Sequence, residues 1–278
     1  MPQFWQTARF RIDLSRVQLM GIVNVTPDSF SDGGKFSGPA AAVAHCEQLL
    51  SDGADILDIG GESSRPGAES VGVHQEMDRV LPVIEAASKL GCPVSVDTVK
   101  PEVMRAALAL GADIINDIGA LRAPGAMEAV LGHPSCGVCL MHMRGEPRSM
   151  QAQPVYGDVV AEVLVYLGER VDALQARGIT PERIAIDPGI GFGKSVEHNL
   201  ELLKRQHELL ALGHPLLVGW SRKSTLGVIT GRPVSERLAA SVAAALAAVH
   251  KGARIIRVHD VAATADALKV WRSAGFCQ

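Results

Sequence analysis

A short sequence motif, which we call the repeated phrase, occurs three times in similar form, as SDGADILDIGG at 51–61, LGADIINDIG at 110–119 and KGARIIRVHD at 251–260. Each copy follows a stretch whose apolar residues have helical spacing. A glycine in this position is typical of a helix C-terminus, and the isoleucine-rich run behind it is typical of a short strand buried on both faces. The repeated unit is therefore a helix, a glycine and a strand of a parallel sheet.

Further apolar runs bring the number of predicted strands to eight, and helical patterns alternate with them along the chain. The other strands are predicted at 17–25, 94–97, 137–142, 183–187 and 215–219. The helices are predicted at 40–51, 73–90, 101–110, 125–131, 158–177, 196–212, 235–251 and 261–274. Because no linker separates these units, we expect one α/β domain over 1–278, a (β/α)8 TIM barrel with residues 1–16 as an N-terminal lead-in. An open doubly wound sheet is the competing architecture.

Polar side chains stand at the C-terminal end of each predicted strand. They are Asn24, Glu62 with Ser64 and Arg65, Asp97, Asn116, His142, Asp187, the group from Ser221 to Ser224, and Arg257 with His259. In a barrel these ends converge on one rim, where barrel enzymes have their active sites, whereas an open sheet spreads them along a line. We therefore favour the barrel, although a helix N-cap is an equally good interpretation of a single residue such as Asp97.

The overall composition excludes several classes of protein. Hydrophobic residues make up 47% of the chain, and 27 basic against 30 acidic residues give a net charge of −3. This content is too apolar for a disordered chain and lacks the basic excess of nucleic-acid-binding proteins. The apolar stretch at 238–249 is too short to span a membrane, and scattered charges in residues 1–16 interrupt any signal-peptide core. We expect a cytoplasmic protein that binds neither nucleic acid nor membrane.

Cysteine and histidine residues raise the alternative of a zinc site. Zinc-binding residue types recur at intervals of three at His133, Cys136, Cys139 and His142. Residues 137–143, however, form an apolar run of strand length, on which Cys139 cannot share a tetrahedron with its neighbours. The five cysteines are an odd number and do not suggest a disulfide framework either. We therefore disfavour both uses.

The glycine-rich run DPGIGFGKS at 187–195 raises the alternative of a nucleotide-binding loop. A phosphate loop would require glycine at position 188, which is Pro188, and the dinucleotide spacing also fails. We interpret the run as a glycine-lined floor beneath a flat ring, with Phe192 presenting an aromatic face.

The loops predicted after strands one and two are longer than ordinary barrel connections of about two to six residues. The first reads VTPDSFSDGGKFSG at 25–38 and the second reads GGESSRPGAE at 60–69. Long loops at this end of a barrel are typical of active-site lids. Cationic side chains near the same rim suit a polyanion such as pyrophosphate, and they are Arg65, Arg222, Lys223, Arg257 and His259.

Two further residues fit the binding of an anionic substrate. In GWSRKST at 219–225, Ser224 begins a predicted helix, whose free N–H groups can receive a carboxylate or a phosphate. Asn24 offers a neutral oxygen at a strand end, which Mg²⁺ accepts when substrate phosphate and water complete its shell.

Seven motifs together make the chain resemble the dihydropteroate synthase family of pterin-binding TIM barrels along nearly its whole length. They are MGIVNVTPDSFSDGG at 20–34, GGESSRPGA at 60–68, SVDTVKPEVMRAALALGADIINDI at 95–118, LMHMRGEP at 140–147, DPGIGFGK at 187–194, GWSRKS at 219–224 and RVHDV at 257–261. Ser64 stands where the family more often has threonine, a change that keeps the hydroxyl.

The resemblance implies a transferase of folate biosynthesis and a sulfonamide target, which condenses 6-hydroxymethyl-7,8-dihydropterin pyrophosphate with p-aminobenzoate. It implies a pterin site formed by Asp97, Asn116, Met141, Asp187, Phe192, Gly219, Lys223 and Arg257. It implies that pyrophosphate and p-aminobenzoate are bound by Thr26, Phe30, Ser64, Arg65, Pro66, Ser224, Arg257 and His259. The implied catalytic residues are Asp97, Lys223, Asp32 and Asn24, and Asn24 is also the implied ligand of Mg²⁺.

The family mechanism is a dissociative substitution, in which pyrophosphate departs and leaves a methylene cation delocalised into the pterin. Asp97 would stabilise this cation, and Asp32 would orient the attacking amine. The family also implies a homodimer, which we expect to form through the apolar helix near the C-terminus. Two other functions stay open: a methyltetrahydrofolate-dependent methyltransferase, which has no need of the pyrophosphate rim, and a non-catalytic pterin-binding paralogue.

Overall fold

The computed structural model describes residues 3–26, 38–63, 70–145, 150 and 154–276. In chain order its strands are β1 (Phe4–Gln6), β2 (Arg11–Asp13), β3 (Gln18–Asn24), β4 (Ile56–Gly60), β5 (Val94–Asp97), β6 (Ile114–Asp117), β7 (Gly137–Met141), β8 (Ile184–Asp187), β9 (Leu217–Val218) and β10 (Ile255–Val258). Eight of them form one parallel sheet in the order β8-β7-β6-β5-β4-β3-β10-β9. Between the two end strands, Ile186 bridges to Leu216 and its N–H donates to the Pro215 carbonyl at 2.9 Å. The sheet is therefore a nearly closed barrel, which confirms the predicted fold class over the open sheet.

Helices form the outer layer of the barrel. They are α1 (Pro39–Ser51), α2 (Val73–Ala87), α3 (Pro101–Ala109), α4 (Ala126–Leu131), α5 (Val159–Gln175), α6 (Val196–Lys204), α7 (Ser224–Thr230), α8 (Leu238–His250) and α9 (Val261–Ser273). Local sequence signals set some of these starts, since the Asp158 carboxylate caps α5 and Ser195 with His198 forms a capping box on α6. No helix in the described ranges is long and apolar enough to cross a membrane.

Two helix predictions are wrong at their boundaries. The helix expected over 196–212 is α6 followed by a 3-10 helix, Gln206–Leu212, because the backbone at Arg205 leaves the helical region with φ −102° and ψ 13°. The helix expected from residue 235 begins at Leu238, and a separate 3-10 turn, Val234–Glu236, precedes it. In 3-10 segments of seven and three residues, too few apolar positions are present to distinguish a spacing of 3.0 from one of 3.6 residues per turn.

The N-terminal lead-in contains structure that the sequence analysis did not predict. Strands β1 and β2 form an antiparallel hairpin, in which Trp5 pairs with Ile12. The Trp5 side chain is fully buried, and its indole N–H donates to the Arg183 carbonyl at 2.9 Å. The hairpin packs against the apolar interior of the barrel at the N-terminal ends of the strands, a cluster of Met20, Ile56, Ile114, Cys139, Ala185, Leu217 and Ile255 with Trp5, Ile12 and Leu14. It thus closes the end of the barrel opposite the rim of polar residues.

Candidate active site

Strand alternation carries polar side chains onto the inner face of the barrel above this apolar interior. Each of four strands has a buried interior residue followed two positions later by a residue predicted for the site: Ile114 by Asn116, Cys139 by Met141, Ala185 by Asp187, and Ile255 by Arg257. Since residues i and i+2 of a strand share one face, these later residues point into the same space. The barrel is therefore filled at one end and lined with polar groups at the other.

Four polar side chains on the inner face of the barrel form a hydrogen-bonded network, which we call the floor of the site: Asp58, Asp97, Asn116 and Arg257. Arg257 donates from Nε to Asp58 Oδ2 at 2.6 Å and from Nη2 to Asp97 Oδ2 at 2.9 Å. Asn116 Nδ2 lies 3.2 Å from Asp58 Oδ2 and 3.4 Å from Asp58 Oδ1. Asp58 is fully buried, so its charge depends on these two donors. The floor fixes the side chains of Arg257 and Asn116 beside Asp97.

Asp58 was missed by the sequence analysis, although the repeated phrase contains a signal for it. Asp58, Asn116 and Arg257 each stand five residues after the glycine of their copy, which is Gly53, Gly111 or Gly252. Equivalent positions in equivalent strands reach the same depth of the barrel, and the structure brings the three side chains into contact. Comparison of the three copies would therefore have identified the floor.

Asp97, at the end of β5, is a carboxyl group whose pKa is strongly raised by its surroundings. Burial raises its pKa to about 7, and the neighbouring charges of Asp58, Glu76 and Asp117 act in the same direction. The guanidinium of Arg257 opposes the shift. A carboxyl group with a pKa near neutrality at a strand end is typical of a catalytic site.

Asp187 and Lys223 face each other across the glycine-rich loop that follows β8. Burial raises the pKa of Asp187 to about 6, while the Gly189 N–H, which donates to its Oδ1 at 2.7 Å, and the charge of Lys223 oppose that rise. Lys223 Nζ lies 4.2 Å from the centre of the Phe192 ring, within the range of a cation–π contact. A Cβ at Gly191, where φ is +79°, would come 3.2 Å from the Lys223 stem. The loop is thus shaped around the lysine.

An apolar surface borders these polar groups. Met141, Met143, Met150 and Phe192 form one buried cluster, against which Ile118 packs. Of these residues, Met143, Met150 and Ile118 were not predicted, because in the sequence they are indistinguishable from ordinary core residues. Thioether and aromatic side chains beside hydrogen-bonding groups suit a flat heterocycle.

The cationic rim is more fully paired than the sequence analysis expected. Arg222 adopts a left-handed backbone conformation, φ +60°, and its guanidinium pairs with Asp260 at 2.6 Å. Arg257 belongs to the floor. His259 Nδ1 lies 3.0 Å from the hydroxyl of Ser221, so its ring is oriented by the turn that precedes Lys223.

Glu62, near the start of the second long loop, is held against the barrel by Lys100. The ammonium group of Lys100 pairs with the carboxylates of both Glu62 and Glu76. Glu62 also accepts from the Val71 N–H at 3.3 Å. These bonds hold the described ends of that loop, Glu62 and Val71, close to the start of α3.

Three comparisons place this geometry among known proteins. The family model described as "Pterin binding enzyme" matches residues 20–259. The dihydropteroate synthase of Neisseria meningitidis serogroup B is 54% identical over 277 residues, which are 98% of this chain and 97% of the relative. The chain belongs to the dihydropteroate synthase family. Its activity is therefore dihydropteroate synthesis, a transferase reaction of folate biosynthesis.

Solved structures of dihydropteroate synthases have the same fold. That of Xanthomonas albilineans with 4-aminobenzoic acid has a TM-score of 0.92 at 52% identity and covers 98% of each chain. That of Burkholderia cenocepacia complexed with 7,8-dihydropteroate has a TM-score of 0.90 at 48% identity and covers 99% of this chain and 97% of that one.

The structure locates most of the residues predicted for this dihydropteroate synthase site, and five lie outside the described ranges. Those five are Asp32, Phe30, Ser64, Arg65 and Pro66. Asn24 ends β3, Thr26 lies two residues further, and Gly219 follows β9 directly. Ser224 is the exposed first residue of α7, a helix of only seven residues.

The four residues weighed as zinc ligands have separate environments in the dihydropteroate synthase barrel. Cys139 is fully buried in the barrel interior, whereas Cys136 Sγ accepts from Arg183 Nη2 at 3.3 Å. The His133 Nδ1 atom accepts from the Cys136 N–H at 3.0 Å, and the His142 ring contacts Lys194. Within the described ranges, no group of three or more His, Cys, Asp or Glu side chains is arranged to hold a metal ion.

Proposed function

We propose that the polar rim binds 6-hydroxymethyl-7,8-dihydropterin pyrophosphate and that p-aminobenzoate attacks it there. The observation that carries this proposal is that Asp97 and Asn116 belong to the floor, while Asp187 is in register with Met141 and Lys223 lies against Phe192. The aminopyrimidinone ring presents alternating donors and acceptors, which two carboxylates, an amide and an ammonium group can satisfy. Met141, Phe192 and Gly219 would contact the faces of the ring.

The floor keeps the charges of the pterin site in place. Arg257 is paired with Asp58 and Asp97, and these two ion pairs fix the orientation of its guanidinium group. In the reaction the bond between the methylene carbon and the pyrophosphate oxygen breaks, and positive charge develops on the methylene group and the ring. We place the negative charge of Asp97, whose pKa is raised by burial, where it would favour that cation.

The leaving pyrophosphate and the incoming amine would occupy the outer rim. We assign His259 and Arg257 to the pyrophosphate, with Thr26 on the same side, and Ser224 to the p-aminobenzoate carboxylate. The residues of the two long loops, Asp32, Phe30, Ser64, Arg65 and Pro66, complete this assignment by resemblance to the family. The p-aminobenzoate in the Xanthomonas relative supports a subsite of this kind.

The donors on this rim fit a Mg²⁺ ion that is bound mainly through the substrate. Asn24 offers one neutral oxygen, and the described part of the chain presents no cluster of carboxylates to complete a protein cage. Mg²⁺ in such sites keeps several waters and takes the remaining ligands from phosphate groups. When bound, it would supply positive charge to the departing pyrophosphate.

Turnover by the purified protein tests the assignment of these residues. We expect pyrophosphate release and dihydropteroate formation when pterin pyrophosphate, p-aminobenzoate and Mg²⁺ are all present, and loss of both on chelation. Asp97→Asn should lower kcat by about 100-fold or more, the effect of removing a preorganised charge from a transition state. Asp266→Asn, an exposed carboxylate that pairs with Lys269, is the matched control. Wild-type turnover by Asp97→Asn would refute the role of Asp97, and pterin binding without any turnover by the wild type would support the non-catalytic paralogue.

We also propose that the enzyme is a homodimer through the surface formed by α7 and the start of α8. Four large apolar side chains are exposed there: Val228 at 68%, Ile229 at 53%, Val234 at 52% and Leu238 at 46%. Exposed apolar residues grouped in this way are typical of a subunit interface. Analytical ultracentrifugation should find a dimer for the wild type and a monomer for Val228→Lys, and a monomeric wild type would contradict the proposal.

A cytoplasmic location completes the proposed function. The described cysteines, Cys46, Cys92, Cys136 and Cys139, are all free and buried. Free thiols are typical of proteins in reducing compartments. Fractionation of cells that express the protein tests this location.

A further inference from the structure

Lys194 is a buried amine for which the mechanism above has no use, and burial lowers its pKa to about 7. It follows the glycine-rich loop and is only 2% exposed. A buried ammonium group is costly unless acceptors satisfy its three N–H bonds. Its partners therefore indicate what the residue does.

The contacts of Lys194 tie the glycine-rich loop to the end of β7. Its Nζ donates to the carbonyl oxygens of Gly189 at 2.9 Å and Phe192 at 3.0 Å, both within the loop. The same nitrogen lies 2.9 Å from Nδ1 of His142 and 3.3 Å from the His142 carbonyl. Burial and the charge of Lys194 lower the pKa of His142 to about 3, so its ring is neutral and Nδ1 can accept. One amine thus joins two segments that are 52 residues apart.

Two other side chains also bond to the loop, since the Tyr156 hydroxyl donates to the Gly193 carbonyl at 2.8 Å and Asn199 Oδ1 accepts from the Gly191 N–H at 2.8 Å. Gly189 and Gly193 have φ values of +67° and +63°, and a Cβ at Gly189 would lie 1.9 Å from the His142 carbonyl oxygen. At these two glycines the loop therefore approaches the segment after β7 backbone to backbone. Buried carbonyl groups in such a loop need donors, and Lys194 supplies one to Gly189 and one to Phe192.

The loop in turn orients two groups of the proposed pterin site. Its Gly189 N–H donates to Asp187, and its Phe192 ring faces the ammonium group of Lys223. The positive charge of Lys194 also acts to lower the pKa of Asp187, against the effect of burial. Displacement of the loop would move both the donor on Asp187 and the ring beside Lys223.

We propose that Lys194 is a positioning residue of the pterin subsite, which fixes the glycine-rich loop and through it orients Asp187 and Lys223. This inference rests on the assignment of those two residues to pterin in the proposed function. It assigns Lys194 no contact with substrate. Loss of the ammonium group should therefore weaken pterin binding selectively and leave unchanged the p-aminobenzoate subsite, which is assigned to Ser224 and the long loops.

Lys194→Met tests the proposal, because methionine keeps most of the apolar stem and removes the donors. The dissociation constant for the pterin pyrophosphate is measured by titration calorimetry, and the KM for p-aminobenzoate at saturating pterin. We expect the first to rise by about tenfold, equivalent to about 1.4 kcal/mol, and the second to change by less than about twofold. Gln206→Met is the matched control, since it removes a buried side-chain donor to the Ala248 carbonyl outside the site.

Two outcomes would overturn the proposal. One is an unchanged pterin dissociation constant in Lys194→Met. The other is a change that Gln206→Met reproduces, or that affects both substrates equally, since a general loss of stability would do the same.

A second variant keeps the proposal testable if Lys194→Met does not fold. His142→Phe removes one acceptor of Lys194 and retains a ring that can pack edge-on against Tyr166, whose centroid is 4.9 Å away. Loss of one such hydrogen bond should raise the pterin dissociation constant by about threefold. Wild-type affinity in a folded His142→Phe would overturn the role of Lys194. Lys223→Met is run beside it, because wild-type pterin affinity in that variant would refute the pterin assignment itself.

Discussion

Replacing Asp58 with asparagine removes one negative charge from the floor of the site and almost preserves the shape of the side chain. Asp58 is fully buried, and Arg257, whose side chain is 22% exposed, donates to it at 2.6 Å. Loss of one partner of a buried ion pair destabilises a protein by about 3 to 5 kcal/mol. Because Arg257 keeps its contact with Asp97, we expect the lower value, about 3 kcal/mol. In a protein of this size that corresponds to a fall in Tm of about 6 to 12 °C.

The same substitution should move the pH dependence of the reaction. The pKa of Asp97 is raised to about 7, so its carboxylate, which the proposed mechanism requires, is lost as pH falls through neutrality. The charge of Asp58 contributes to that raised pKa. With asparagine at position 58, the ionised Asp97 carboxylate is no longer repelled by the charge of Asp58, and Asp58 no longer competes with it for Arg257. The acid limb of kcat/KM should therefore shift to lower pH.

Thermal unfolding and a pH series of initial rates measure these two effects on one purified variant. Asp266→Asn serves as the control, since it removes a carboxylate from the protein surface, where 76% of the Asp266 side chain is exposed. An acid limb that stays in place or moves to higher pH would refute the electrostatic reasoning. An unchanged Tm would refute the role of Asp58 as the anchor of Arg257.

Three further predictions concern separate parts of the molecule. Gly189→Ala and Gly178→Ala both place alanine at positive φ, a strain of about 1 to 2 kcal/mol. Only Gly189→Ala also brings the new methyl group against a backbone carbonyl, so pterin affinity should fall in that variant alone. Equal affinities in the two variants would contradict the tight packing of the loop. Lys223→Met should raise the pKa of Asp187 above about 6, which NMR titration of the carboxyl group measures, and a lower value would be the opposite of the expected sign. Trp5→Ala should lower the free energy of unfolding by about 3 to 5 kcal/mol, because it removes a large buried side chain. The KM values of the folded enzyme should stay unchanged, since the hairpin lies at the end of the barrel opposite the site. Altered KM values would disprove that separation.

The predicted barrel rested on signals that are local in the sequence. A glycine after a helical pattern and a short isoleucine-rich run are each recognisable within about ten residues, and their repetition indicated eight strands. The hairpin of β1 and β2 was not predicted, because three-residue strands are too short to show an alternating pattern. The interrupted helix after Lys204 was missed for a related reason, since apolar spacing does not report the backbone angles of Arg205.

The sequence predicted residues of the candidate site, but not which of them are hydrogen-bonded to each other. Asp97, Asn116, Asp187 and Arg257 could be selected as polar strand ends, and the resemblance to a family assigned them roles. That Arg257 pairs with Asp97 and Asp58, 160 and 199 residues away, could not be read from the chain. Motif matching also gave no role to Lys194, since a lysine after a glycine run looks like an exposed residue until its four acceptors are known.

The sequence by itself determined the order of strands and helices, the residue types on the rim and the family, because these depend on spacing along the chain and on local conformation. Tertiary structure decided which charges meet. Closure of the sheet brings β4, β5, β6 and β10 around one axis, so that Asp58, Asn116 and Arg257, one from each copy of the repeated phrase, come within hydrogen-bonding distance. The pKa of Asp97 follows from that convergence, since burial and neighbouring charges exist only once the barrel has formed.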